Sequence, residues 1–241
     1  MTVNQYKIVL EGKMGSHSYG TSTPQSDLDT MGIVIPSPSK DYYLGLKTFG
    51  NSDTVDKKNE TLDAHYFEIR KFVNLCLKNN PNCLPLLFIR PQDYLVSTDL
   101  GQVLIANRSL FLSKKVYHTF CGYAAAQQKR MLGTTTGKLG EKRKEIIAQH
   151  GFDTKFAFHI IRLLLMCKEI LSDGKVIVYR EHDKDFLLDI RNGKYTIEEI
   201  MSMVTSLEAD CDAAYAITDL PDHPNYEAIN SLVVEVVQEY L

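Results

Sequence analysis

Ser26-Asp27-Leu28-Asp29 sets two carboxylates at positions i and i+2, just behind the run Gly15-Ser16-His17-Ser18-Tyr19-Gly20-Thr21. On an extended strand, residues two apart point to the same face, so Asp27 and Asp29 present hard oxygen ligands side by side. Such a pair suits Mg2+ or Mn2+ in a nucleotide site. The Gly-Ser turn suits a phosphate: Gly15 admits close approach, backbone N–H groups at a helix start point outward, and the Ser16 hydroxyl donates or caps. Each half alone is a weak signal, because Gly-Ser turns and Asp-x-Asp pairs are common at solvated edges. In this order, with a strand on either side, the combination is much more specific.

A two-metal site calls for a third carboxylate. Residues 60–66 read as a strand on which Thr61, Asp63 and His65 share one face while Leu62 and Ala64 share the other. Asp63 is therefore the expected third ligand, ahead of Glu60 and of Glu68, which is expected to begin the following helix. The plainer alternative for Asp63 is a strand-end cap, and for His65 a satisfied structural histidine. A second cluster, Lys155, His159 and Arg162, is spaced i, i+4, i+7 and so falls on one face of a helix. A solvated charged stripe is the ordinary reading of such a pattern. Three donors without a carboxylate point instead to an anion, with Lys138, Lys142, Arg143 and Lys144 either extending the patch or forming a solvated face.

The elements that must position these groups follow from periodicity. Tyr6 to Leu10 and Thr30 to Ile35 read as strands, and Gly15 to Gly20 as a short helix between them. Residues 37–58 read as a loop with a brief local element at Tyr42-Tyr43-Leu44. Ile69, Phe72, Val73, Cys76 and Leu77 recur at helical spacing up to Asn79-Asn80-Pro81. Beyond about residue 95 the pattern turns helical, over Phe111 to Met131, 137–150, Lys155 to Leu171, Ile197 to Ala216 and Ala228 to Leu241. The expected fold class is α+β: a palm-like mixed sheet with helices over 1–95, then a helical domain over 96–241.

Composition narrows the partners. The chain has 241 residues, 44% hydrophobic and 24% charged, enough for a sizeable core, and its formal net charge of −3 leaves nucleic-acid contact to local basic patches. Five scattered cysteines with no C-x-x-C pair argue for reduced thiols and against a zinc site. The first residues lack a signal-peptide pattern and no apolar run is long enough for a bilayer, so a soluble cytoplasmic protein without a membrane partner is the expectation.

Gly15-Ser16 with Ser26-Asp27-Leu28-Asp29 resembles the nucleotidyltransferase superfamily related to DNA polymerase beta. Asn80-Pro81-Asn82, Gly122-Tyr123-Ala124, Gly137-Lys138, His150-Gly151-Phe152-Asp153-Thr154-Lys155 with Phe158-His159-Ile160-Ile161-Arg162, and Leu220-Pro221-Asp222 resemble its RNA-repair-associated group. The resemblance runs from about residue 8 to the C-terminus. It implies that Gly15 and Ser16 hold the triphosphate, that Asp27 and Asp29 bind both metals, and that Asp63 takes the third acidic position. Lys155, His159 and Arg162 match the group's second signature and complete the expected nucleotide-binding set. Pro85 departs from the pattern, since relatives tend to carry a glutamate there. The implied activity is transfer of a nucleoside monophosphate from an NTP to a hydroxyl, an RNA or tRNA end in the first instance, with Mg2+ or Mn2+ as cofactor. Transfer to a protein or small molecule, and nucleotide or RNA-end binding without turnover, are the competing functions.

Overall fold

The computed structural model describes residues 5–24, 26–59, 61–133 and 141–241, with Glu141 and Lys142 described by backbone alone. Glu60, Gly137 and Lys138 lie outside the described residues, as does the side chain of Lys142. From the N-terminus the chain forms β1 (Tyr6–Lys13), α1 (Gly15–Tyr19), β2 (Leu28–Pro36), α2 (Ser39–Tyr43), β3 (Thr54–Lys58), β4 (Leu62–Glu68), α3 (Ile69–Leu77), β5 (Tyr94–Ser97) and α4 (Asp99–Ala106). The five strands make one sheet in the order β3-β4-β2-β1-β5. β2 runs parallel to β4, while β1–β2, β1–β5 and β3–β4 are antiparallel. The mixed α+β class expected from the sequence is the one observed. β2 is the middle strand and is buried continuously from Thr30 to Pro36, which is why it reads as an unbroken apolar run and not as an alternation.

A polar tie on one face links three strands. The buried Glu11 carboxylate on β1 accepts from Tyr66 Oη of β4 at 2.8 Å and from Thr30 Oγ1 of β2 at 3.2 Å. Gly32 makes room for this, because a Cβ there would lie 2.6 Å from the Tyr66 ring. Strand β3 lies within residues 37–58, expected to be a loop. It is an edge strand whose last three residues are exposed, and a solvated edge carries no hydrophobic alternation to betray it. Glu68, expected to open the next helix, instead ends β4 and caps α3: its carboxylate accepts Lys71 N at 3.1 Å and Tyr43 Oη at 2.8 Å. Beyond α3, Asn79 Nδ2 donates to Cys76 O at 3.1 Å and Phe111 O at 2.5 Å. The Asn80-Pro81-Asn82 block thus opens a turn into a buried 3-10 helix, Leu84–Phe88, which holds Pro85 in the core.

Five helices follow: α5 (Lys115–Met131), α6 (Glu141–His150), α7 (Thr154–Asp173), α8 (Lys184–Arg191) and α9 (Ile197–Ile217). α7 is the hub, packing against α5, α8 and α9. Its sequence is apolar nearly all round, as a helix enclosed by neighbours requires. Asp153 caps its start, accepting Lys155 N at 3.0 Å, and Gly174 ends it in the left-handed region. Arg180 fastens the loop after α7: only 3% exposed, it donates Nη1 and Nη2 to the two Glu169 carboxylate oxygens, each at 2.6 Å, and Nε to Asp183 Oδ1 at 2.9 Å.

The last helix, α10 (Tyr226–Gln238), packs against α3 and α4 of the sheet unit. The compact units are therefore residues up to Leu112 with His223–Leu241, and Ser113–Asp222. The division falls at 112/113 where 95/96 was expected, because β5 pairs with β1 and α4 packs on both. Within the helical unit, Lys114 N donates to Pro221 O at 2.8 Å and Lys114 Nζ lies 3.3 Å from Asp222, so the Leu220-Pro221-Asp222 block clasps the unit's own first residues. In the sheet unit, Asn225 N donates to Leu110 O at 3.0 Å. Replacing Arg180 with alanine strands Glu169 and Asp183 and is expected to cost about 3–5 kcal/mol in denaturant unfolding. An Arg180→Ala midpoint equal to that of the parent would refute the assignment.

Candidate functional site

Asp29 and Asp63 are register partners on adjacent parallel strands, so their side chains leave the same face of the sheet side by side. That face is opposite the one used by Thr30, Ala64 and Tyr66. Asp27, exposed, lies two residues before Asp29 in the segment that enters β2. Asp29 and Asp63 are thus brought to one end of one sheet face, with Asp27 just before the strand. Lys58, at the end of β3 and paired in register with Asp63, puts its ammonium among them: Nζ is hydrogen-bonded to Asp63, and Asp29 and Asp27 also raise its pKa through their charges. The same hydrogen bond holds the Asp63 carboxyl below the usual carboxylate range, with the Lys58 charge and His65 adding to the effect. His65 Nε2 is 3.3 Å from Asp63 Oδ1, while its Nδ1 is 2.7 Å from Asp56 Oδ1. It is a positioned neighbour of the acids. Lys58 was not anticipated, since it ends the polar run Thr54-Val55-Asp56-Lys57-Lys58 and only the β3–β4 pairing brings it to the carboxylates.

The Gly-Ser turn is joined directly to this group. Met14 N donates to Asp29 O at 2.8 Å, and Gly15 has φ +59°. A Cβ on residue 15 would lie 2.2 Å from Asp29 Oδ2. Gly15 is therefore required twice, by its left-handed backbone and by the carboxylate that fills the place of its missing side chain. Ser16 does not cap α1: Met14 holds the cap position with no side-chain cap, and Ser16 lies inside the helix, its carbonyl accepting Thr21 N at 2.9 Å. Its hydroxyl remains a candidate donor. Two further polar atoms of the run, His17 Nε2 and the fully buried Thr21 Oγ1, have no hydrogen-bond partner among the described residues.

In the helical unit, Lys155, His159 and Arg162 do share one face of α7, but as a gradient of burial and not a solvated stripe. Lys155 is exposed, His159 is partly buried, and Arg162 is 3% exposed with Nη1 3.2 Å from Met166 Sδ. Burial pushes the His159 pKa down from 6.5 to about 3, and the charges of Arg162, Lys155, Arg191 and Arg143 push the same way. The imidazole is therefore neutral at physiological pH within a set of four cations. Arg143 sits over the Phe156 ring at 4.3 Å, with Nε 3.7 Å from Asp153 Oδ2, and Arg191 over Phe158 at 6.0 Å. Arg143 was already a candidate for the patch; Arg191, at the end of α8, was not.

The chain matches the family described as RlaP, RNA repair pathway DNA polymerase beta family, over residues 1–235. It belongs to that family. An uncharacterised 38.9 kDa protein in the nrdC-mobD intergenic region of Enterobacteria phage T4 is 30% identical over 133 residues, covering 52% of this chain and 38% of the phage protein. A nucleotidyltransferase-like protein from Exiguobacterium sibiricum 255-15 aligns over 98% of this chain and 75% of its own, at 10% identity and a TM-score of 0.28. The chain spans well under half the length of the phage protein it matches. No helix among the described residues is long and apolar enough to cross a membrane.

Two outcomes follow from this geometry. The unfolded chain takes up a proton on His159 below about pH 6.5 that the folded chain refuses until about pH 3. The stability present above 6.5 is thus lost as pH falls, by up to about 2 kcal/mol on reaching about pH 5. Unfolding titrations should show this loss reduced in His159→Gln; an unchanged pH dependence would refute it. Gly15→Ala should cost at least about 1–2 kcal/mol from its left-handed backbone alone, measured by the same titration; a variant as stable as the parent would refute the requirement.

Proposed function

We propose that the chain transfers a nucleoside monophosphate from an NTP to a hydroxyl acceptor, an RNA end first among the candidates, with release of pyrophosphate. The observation that carries this reading is the in-register placement of Asp29 and Asp63 beside Asp27, with one lysine ammonium in the field of all three. The donor set suits Mg2+ or Mn2+ in kind: the hard carboxylates of Asp29 and Asp63 on one sheet face with Asp27 just before it, Asp63 paired with a cation that a divalent ion is suited to replace. When bound, such ions would lower the repulsion between an acceptor hydroxyl and the α-phosphate and steady the triphosphate.

The remaining roles fall to the chain's own groups. Gly15 lets Asp29 approach the turn closely, and Ser16 with neighbouring N–H groups offers donors to a triphosphate. Lys58 neutralises Asp63 until it is displaced. Lys155, Arg143, Arg191 and Arg162 supply positive charge for nucleotide or nucleic-acid phosphates, and His159 supplies a neutral donor or acceptor. A phosphate near His159 favours imidazolium, so binding should raise the His159 pKa toward its ordinary value.

Incubation with Mg2+, labelled NTPs and an RNA pool tests the reading. Label should enter nuclease-sensitive product, and Asp27→Ala/Asp29→Ala should lower incorporation by at least about a hundredfold. Incorporation that survives the double substitution removes the site assignment. Label in protease-sensitive product keeps the site and changes the acceptor to protein.

A further inference from the structure

Cys121, Cys167 and Cys211 belong to three different helices, α5, α7 and α9, and carry no local spacing signature. The helical unit nevertheless brings their three Sγ atoms within 4.8 Å of one another. Cys121 Sγ and Cys167 Sγ are 3.8 Å apart. Cys167 and Cys211 are fully buried, whereas Cys121 is partly exposed. Among the described residues this is the only ready-made set of three metal-ligating side chains. The aspartates of the sheet unit do not form such a set, with Lys58 standing among them.

We propose that this triad is a binding site for one thiophilic divalent ion of the Zn2+ class, separate from the carboxylate site. A Zn–S bond of about 2.3 Å places the sulfurs of one ion about 3.8–4.0 Å apart. The Cys121–Cys167 distance already meets this, and the other two edges need contractions of less than an ångström. A disulfide would require a sulfur separation of about 2.05 Å, much further from what the three thiols present. Soft sulfur ligands select against Mg2+ and Mn2+, so the two sites sort different metals. Three thiolates leave less residual charge around a divalent ion than around a monovalent one, which matters beside two fully buried sulfurs.

Cys121, the least buried of the three, stands at the exposed edge where an ion would enter. The three thiols lose their protons to solvent as the ion binds. Without metal, Cys211 Sγ donates to Leu164 O at 3.4 Å, a bond given up when its proton leaves. Occupancy would pin α5, α7 and α9 at one point, along the helix that also carries Lys155, His159 and Arg162.

The test uses the full chain, kept reduced with a phosphine and stripped of metal. Cd2+ addition should produce a thiolate-to-metal charge-transfer band saturating at one equivalent, and Zn2+ should suppress it by competition. Zn2+ should shield three of the five cysteines from a thiol reagent and raise the melting temperature. Cys121→Ser, at the least buried position, should weaken Zn2+ binding by at least about tenfold. Cys76→Ser/Cys83→Ser and Asp27→Ala/Asp29→Ala should leave the band intact. Absence of the band in the parent chain overturns the proposal, as does a full-strength band in Cys121→Ser or one lost with Cys76 and Cys83.

Discussion

The parallel pairing of β2 with β4 is the constraint on which the candidate chemistry rests. It sets Asp29 against Asp63, and a slip of one residue would send every β4 side chain to the opposite face. The register is fixed from the far side of the sheet. Ala64 and Tyr66 are buried there with Val34 and Phe49, and Tyr66 reaches across Gly32 to share Glu11 with Thr30. An apolar face and one buried carboxylate thus hold the aspartates of the other face in line. The acids pay no part of their own alignment and remain accessible.

The helical unit solves a different problem. Its cations must stand close together in spite of mutual repulsion, and α7 does this by grading their burial. Lys155 keeps to solvent, Arg143 and Arg191 lie over aromatic rings, and Arg162 is taken into the core. His159 relieves the remaining repulsion by staying neutral. The same helix is anchored at its far end by Glu169 to Arg180 and is enclosed by α5, α8 and α9. Helix position and charge placement are therefore one property of α7.

What could be read from the sequence was whatever has a short period. Alternation on 60–66 placed Asp63 on the correct face, and the i, i+4, i+7 spacing placed Lys155, His159 and Arg162 on one side of α7. Both rest on backbone geometry that needs no tertiary information. Lys58 was hidden because β3 is a short polar edge that becomes a strand only through β4. The burial of Arg162 was hidden because periodicity gives a direction around a helix and says nothing of what encloses it. The three cysteines were invisible for the same reason, each residing on a separate helix. Glu68 was misjudged by one position, the difference between starting a helix and capping it.

The pairing of Asn225 with Leu110, and of Lys114 with Pro221, makes the helical unit an insertion within the sheet unit. During synthesis the helical unit is complete once Asp222 has emerged, because its residues are contiguous. The sheet unit lacks α10 until residues 226–238 have followed the helical unit, and the apolar side of α3 waits uncovered until then: Val73 and Leu77 face Ile229, Val233 and Val237 across a groove. The later-starting unit is therefore complete first, and the carboxylate-bearing unit closes only after it.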